Sequence, residues 1–247
     1  MPAVFVHGNP ECAAIWNELM PLLERNDVIR LSPPGFGAPT PVGWNATRLE
    51  YADWLIAELE LIGEPVDLVG HDWGGGHVAG VALTRPDLLR SWAIDVGGLL
   101  HPDYEWHDMA QAWQTPGTGE EVVATMVNTS MSDRQAQYRD LGMPAAVATE
   151  VAAACDAEMG RCILALYRDA AQPVMAQLGS DLSGMSERPG LVIIAEQDTY
   201  VGTEFMARDT AHRAGAQTIL LKNVGHWWML QDPPAGASAL ERFWNSI

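Results

Sequence analysis

The chain reads as an α/β fold: a mostly parallel central sheet with flanking helices, interrupted once by a helical insertion. Three observations predict it. Short apolar runs bounded by Gly and Pro alternate with longer helix-periodic segments. Between about residues 101 and 185 the alternation lapses, and helical segments follow one another without a convincing strand. A glycine-rich turn, Val69-Gly70-His71-Asp72-Trp73-Gly74-Gly75-Gly76, joins one apolar run to the next helical pattern.

Strands are expected at residues 3–6, 28–31, 66–69, 92–96, 191–195 and 218–221. The clearest helix is Arg48–Ile62, with Leu49, Ala52, Ile56, Leu59 and Ile62 near one face. It opens with Thr47-Arg48-Leu49-Glu50, a pattern in which each side chain satisfies the other's backbone N–H. A helix starting near Gly74 should close at Pro86, and Phe243 should lie on a short terminal helix after Pro233-Pro234. Within the insertion, helices are expected at 120–126, 145–154 and 162–176. The core would comprise residues 1–100 and 186–247. Residues 101–185 would form a cap, or lid, over the carboxyl ends of the strands, where open α/β sheets hold ligands.

At 247 residues the chain is long enough for one domain with a sizeable core. Hydrophobic residues make up 48% and charged residues 19%, as in an ordinary soluble enzyme. Asp and Glu number 32 against 14 Lys and Arg, for a formal charge of −18. Nucleic acid demands basic surface, so such a partner is disfavoured, and the acidity reads as solubility. Cys12, Cys155 and Cys162 lack metal-ligand spacing and suggest reduced thiols in the cytoplasm. No leader peptide and no membrane span are expected. The seven histidines show no ligand spacing, so neither a metal nor another cofactor is expected.

The chemistry concentrates at four places. An apolar run entering Gly-X-Asp-X-Gly and then a helix is the pattern of a nucleophile elbow, with Asp72 as the nucleophile. The turn is tight, so Gly70 and Gly74 suit the positions two before and two after it. The helix N-terminus behind the turn favours a carboxylate. Asp198 follows the strand at 191–195, and His226 lies in Asn223-Val224-Gly225-His226-Trp227-Trp228 after the last strand. The chain order is therefore nucleophile, acid, histidine. His226 would activate water, with Asp198 fixing its tautomer. Asp95, just after a strand end, is a second candidate for the acid. Phe5-Val6-His7-Gly8-Asn9-Pro10 ends the first strand, where the backbone N–H groups of Asn9 and Trp73 would hold an oxyanion. Each such donor is worth about 3 kcal/mol. His7 reads as structural.

Together these motifs resemble the Asp-nucleophile branch of the α/β-hydrolase superfamily, which contains epoxide hydrolases and haloalkane dehalogenases. The resemblance covers His7–Pro10, Gly70–Gly75, the cap, Asp198 and His226. It implies an α/β-hydrolase fold, with the family's additional N-terminal strands missing ahead of the His-Gly-Asn-Pro motif. It also implies chemistry that suits the residue type. A carboxylate attacking an sp³ carbon forms an alkyl ester, which His226-activated water then cleaves at the Asp72 carbonyl.

The leaving group is the remaining choice. In epoxide hydrolases a cap tyrosine protonates the epoxide oxygen from a motif resembling Asn-Trp-Tyr-Arg. Ala165-Leu166-Tyr167-Arg168 is similar and nominates Tyr167. Gln114-Thr115-Pro116-Gly117 resembles the element following the second family tyrosine, but Met109 falls where that tyrosine belongs, leaving His107 or Tyr104 to compensate. In haloalkane dehalogenases the halide donors correspond to Trp73 and Asn9. The cap motif favours an epoxide giving a vicinal diol, with haloalkane dehalogenation as the alternative. Trp106, Trp113, Trp227 and His107 would line an apolar pocket for a small hydrophobic substrate and exclude water around the alkyl-enzyme. A competing class is a non-catalytic relative that binds a small ligand beneath the cap. Loss of the histidine or a filled oxyanion loop would mark it, and neither is seen.

Overall fold

A computed structural model describes residues 1–180 and 182–247. Among them six strands form one sheet: β1 (Ala3–Val6), β2 (Val28–Leu31), β3 (Val66–Gly70), β4 (Leu89–Ile94), β5 (Gly190–Ala195) and β6 (Gln217–Leu221). The order is β2-β1-β3-β4-β5-β6 and every pairing is parallel. β1 and β3 are buried throughout, which fits their apolar run; the one charge, Asp67 in β3, is paired with Arg90 and Arg25. Their carboxyl ends point the same way, so the loops after β1, β3, β4, β5 and β6 converge at one edge.

Two helices flank the start of this layout. Helix α1 (Arg48–Ile62) has the expected limits: Thr47 Oγ1 accepts from Glu50 N–H at 3.2 Å, and Glu50 Oε2 accepts from Thr47 N–H at 3.1 Å. Gly63, at φ 78°, ends it in the left-handed conformation that glycine tolerates. Helix α2 (Trp73–Thr84) runs directly out of β3 through a two-residue turn.

Between β4 and β5 lie α3 (Asp108–Gln114), α4 (Thr118–Asn128), α5 (Met131–Asp140), α6 (Ala145–Ala154), α7 (Ala157–Asp169) and α8 (Val174–Leu178), with no strand among the described residues. α3 and α4 pack on α7, and α5 packs on α6. Trp106, Trp113 and Tyr167 from this segment share one apolar cluster with Trp73 and Val78 of α2 and Leu55 of α1. The chain closes with α9 (Glu204–Arg213), α10 (Trp228–Gln231) and α11 (Pro233–Trp244). No helix among the described residues is long and apolar enough to cross a membrane.

The expected elements need five adjustments, the first being α3, which is not among the expected helices. The helix read at 162–176 is two helices, because Pro173 lacks an N–H and forces residue 172 out of the helical region. α5 gave no apolar signal because Tyr138 is its one buried residue. The fourth strand lies earlier than 92–96: it pairs with β3 from Leu89 to Ile94, and Asp95 turns away toward the elbow. α11 is a 12-residue helix that contains both prolines in its first turn, where their missing N–H groups cost nothing.

Candidate active site

Asp72 sits in the turn between β3 and α2 with φ 48° and ψ −127°, a conformation that a non-glycine residue adopts only under surrounding constraint. The crowding around it is severe. A Cβ on Gly74 would stand 2.2 Å from the Val6 carbonyl oxygen, and one on Gly8 would stand 2.2 Å from Asp72 Oδ2. Glycine at both positions lets the β1 loop close against the turn. Asp95 Oδ1 then accepts the Asp72 backbone N–H at 3.0 Å, which holds the turn from β4.

The two Asp72 oxygens have different neighbours. Oδ2 accepts the backbone N–H of Asn9 at 3.0 Å. Oδ1 lies 3.9 Å from His226 Nε2, too far for a hydrogen bond. His226 Nδ1 lies 2.8 Å from Asp198 Oδ2, so the ring donates from Nδ1 to that carboxylate and leaves the Nε2 lone pair facing Asp72. Tyr200 N–H donates to Asp198 Oδ1 at 2.8 Å. The loops after β3, β5 and β6 thus bring together Asp72, Asp198 and His226.

Burial raises the Asp72 carboxyl above its ordinary range, opposed by His226 and His71. For His226, burial works against protonation, but the Asp198 carboxylate outweighs it and raises the imidazole. For Asp198, burial is likewise outweighed, and His226 holds the carboxyl down.

Above Asp72 stands an aromatic wall. The Trp73 and Trp106 rings stack at 5.9 Å, and Tyr167 meets Trp73 edge-on at 5.4 Å and Trp113 at 4.7 Å. Burial, and then the charge of Asp72, push the Tyr167 hydroxyl well above its ordinary pKa, while a hydrogen bond with the Trp73 side chain opposes the rise. Tyr104 donates its hydroxyl to the Tyr200 carbonyl at 2.7 Å. His107 caps α3, accepting from Ala110 N–H at 3.3 Å, with its ring 5.1 Å from Tyr200. Met109 is exposed. A cavity of about 370 Å³ is lined by Asp198, Asp95, Tyr104, His107 and Tyr200; of the four residues expected to line the pocket only His107 borders it, and neither Asp72 nor His226 does.

Beneath Asp72 lies a second polar chain that sequence reasoning missed. His71 is fully buried, with Nδ1 2.5 Å from Asp95 Oδ2 and Nε2 3.3 Å from Glu11 Oε1. Burial disfavours its charge, but the Asp95 and Glu11 carboxylates hold it well above the usual imidazole pKa. Glu11 is in turn held down to about 2, since His71 outweighs the cost of burying it. The two tryptophans after His226 close the chain: Trp227 Nε1 donates to Glu11 Oε1, and Trp228 Nε1 to Asp95 Oδ2 at 2.7 Å. Trp227 therefore spends its polar edge beneath Asp72, while its ring lies 5.1 Å from His226. Asp95, the alternative acid, belongs to His71. The available signal was two ionisable residues, Glu11 and His71, inside otherwise buried motifs.

A sequence model described as the alpha/beta hydrolase family matches residues 3–239. The chain belongs to the alpha/beta hydrolase family. Among curated relatives, this α/β hydrolase is 33% identical over 95 residues to an (E)-2-((N-methylformamido)methylene)succinate hydrolase of Acinetobacter baylyi, covering 38% of the chain and 36% of that protein. It is 30% identical over 141 residues to a haloalkane dehalogenase of Sphingobium indicum, covering 49% of the chain and 45% of that protein. These matches span only about a third to under half of the relatives' length. Similar solved structures include a haloalkane dehalogenase DbeA loop variant from Bradyrhizobium elkanii (TM-score 0.72, 20% identity, 99% of the chain and 90% of that one). An E-2-(acetamidomethylene)succinate hydrolase is as similar in fold (TM-score 0.72, 18% identity, 99% and 91%).

Proposed function

We propose that this α/β hydrolase uses Asp72 as nucleophile to open a small hydrophobic epoxide to a vicinal diol, with residues 101–185 as the cap over the site. The observation that carries the reading is the unequal surroundings of the Asp72 oxygens: one pinned by the Asn9 N–H, the other free and facing His226 Nε2. A carboxylate so held is a nucleophile at Oδ1 and a prepared oxyanion at Oδ2.

In the first step Oδ1 bonds to a ring carbon as the epoxide C–O bond breaks, and the released oxygen takes the Tyr167 proton. Consumption of the Asp72 charge in that step removes one of the influences that hold the Tyr167 proton in place. In the second step His226 Nε2 takes a proton from water, whose oxygen adds to the Asp72 carbonyl carbon. Negative charge falls on Oδ2, against the N–H of Asn9, with the Trp73 N–H at the start of α2 as second donor. Collapse expels the diol oxygen, which takes the proton from His226. The proton left on Asp72 returns to Tyr167. Asp198 keeps His226 in the tautomer that both transfers need.

One observation favours a halide instead. The Asn9 side-chain amide is buried with no hydrogen-bond partner among the described residues, and a free amide N–H on the residue whose backbone holds Asp72 suits a halide leaving group. The dehalogenase relatives agree with that choice. The test is turnover of aromatic epoxides and 1-haloalkanes in heavy-oxygen water, with diol and halide assayed. An Asp72 nucleophile delivers its own light oxygen to product in the first turnover and carries label in the Asp72 peptide afterwards. Label entering product directly, with Asp72 unlabelled, would overturn the mechanism under either leaving group.

A further inference from the structure

The geometry points to a divalent-metal site at the base of the active centre: Glu11, His71 and His226 hold Zn²⁺, and the bound ion reversibly blocks hydrolysis. One ligand atom from each of these three buried residues lies within 4.8 Å of the others. Glu11 Oε1 and His71 Nε2 are already 3.3 Å apart, close to the edge of about 3.4 Å that two ligands at zinc-binding distance subtend in a tetrahedron.

Three further features separate this cluster from an ordinary polar core. First, both imidazoles carry an aspartate on Nδ1, Asp95 at 2.5 Å and Asp198 at 2.8 Å, so Nε2 of each is the nitrogen that can ligate; His71 Nε2, now paired with Glu11 Oε1, gives up its proton when the ion binds. A carboxylate behind a histidine is the support that metal-bound imidazoles use to fix their ring and raise their basicity. Second, Glu11 Oε2 is buried and has no hydrogen-bond partner among the described residues, so one lone-pair-bearing oxygen is open to an ion. Third, four carboxylates (Glu11, Asp72, Asp95 and Asp198) surround two imidazoles, so the cluster is short of positive charge whatever the imidazoles hold.

Asp72 Oδ1, 3.9 Å from His226 Nε2, is within reach as a fourth ligand. Mixed imidazole and carboxylate donors in four positions suit Zn²⁺ or Co²⁺ better than Mg²⁺ or Ca²⁺, which take six or more oxygens. Coordination occupies the His226 lone pair that would activate water and the Asp72 oxygen that would attack. The ion is therefore an inhibitor of the proposed reaction and not its cofactor.

The test titrates the full-length protein with Co²⁺ alone, then with Zn²⁺ as competitor. One equivalent of Co²⁺ should give the visible ligand-field bands of a low-coordinate nitrogen and oxygen site, and Zn²⁺ should bleach them. Glu11→Gln and Asp95→Asn, the second acting through His71 and through the Asp72 turn that Asp95 also holds, should each weaken Co²⁺ binding roughly 10- to 100-fold. Absent bands, or unchanged binding in a folded Glu11→Gln, would assign the metal to surface carboxylates and overturn the site. Should the variants fail to fold, nitrogen NMR of the wild type decides: Zn²⁺ must shift two imidazoles, those of His71 and His226. Neither readout uses turnover, so failure of this site and failure of the hydrolytic reading are told apart.

Discussion

His71 and His226 lie ring against ring, their centroids 4.6 Å apart, and each has an aspartate on its Nδ1. One pair faces Asp72 Oδ1 and the other holds the turn beneath it. Two imidazole–carboxylate units of the same design therefore differ in which side of Asp72 each occupies.

Replacing His226 by Gln should leave the first step intact and stop the second. Steady-state turnover should fall about 10²- to 10⁴-fold, the usual contribution of a general base. Intact-protein mass spectrometry should find enzyme carrying one substrate mass. Unmodified enzyme after incubation with substrate would remove Asp72 from the nucleophile's role.

Tyr167→Phe separates the two leaving groups. In the proposed reaction the hydroxyl protonates an epoxide oxygen, whereas a halide leaves without needing a proton. Epoxide opening should drop by at least about 10²-fold, while halide release from a 1-haloalkane stays within about threefold. Equal losses on both substrates would make Tyr167 a packing residue only, as its contacts with Trp73, Trp106 and Trp113 allow.

Asp95→Asn should destabilise the fold by about 3–5 kcal/mol in urea unfolding, because it leaves the buried His71 charge with only Glu11 opposite it. A change below about 1 kcal/mol would mean that the His71–Asp95 contact is a neutral hydrogen bond.

His77, behind the aromatic wall on α2, gives the acid side of the stability curve. Its ring stacks on Tyr51 at 4.8 Å and on Trp73 at 6.0 Å, and neither nitrogen has a partner among the described residues. Burial holds it down to about 3, while an unfolded chain takes up that proton near 6.5. The unfolded state therefore binds more protons in this window. Stability carried by neutral His77 is present above about 6.5 and lost as pH falls toward 3. His77→Phe should flatten that acid limb of the stability curve, read by thermal melts at pH 7 and pH 5. An unchanged pH dependence would show that His7, held down to about 4 by burial, carries the effect instead.

Much of this was legible in the sequence. The limits of α1 follow from Thr47, Glu50 and Gly63, since capping is a local matter of three or four residues. The turn at Asp72 was legible because only glycine fits at positions 70 and 74, and the chain order of Asp72, Asp198 and His226 follows strand order in a parallel sheet. α5 was not legible, because a helix that buries one residue has no apolar period to read.

What the sequence by itself determined was the parallel α/β architecture, the elbow, and a short set of residues able to act there. Only the tertiary structure decided how those residues are shared out. Asp198 and Asp95 both follow strands, and nothing local distinguishes them. The sheet order puts Asp198 against His226 and Asp95 against His71. Glu11 and Trp227 are 216 positions apart in sequence and meet beneath Asp72. Such contacts depend on where loops from separate strands converge, a property of the packed sheet that no window of sequence contains.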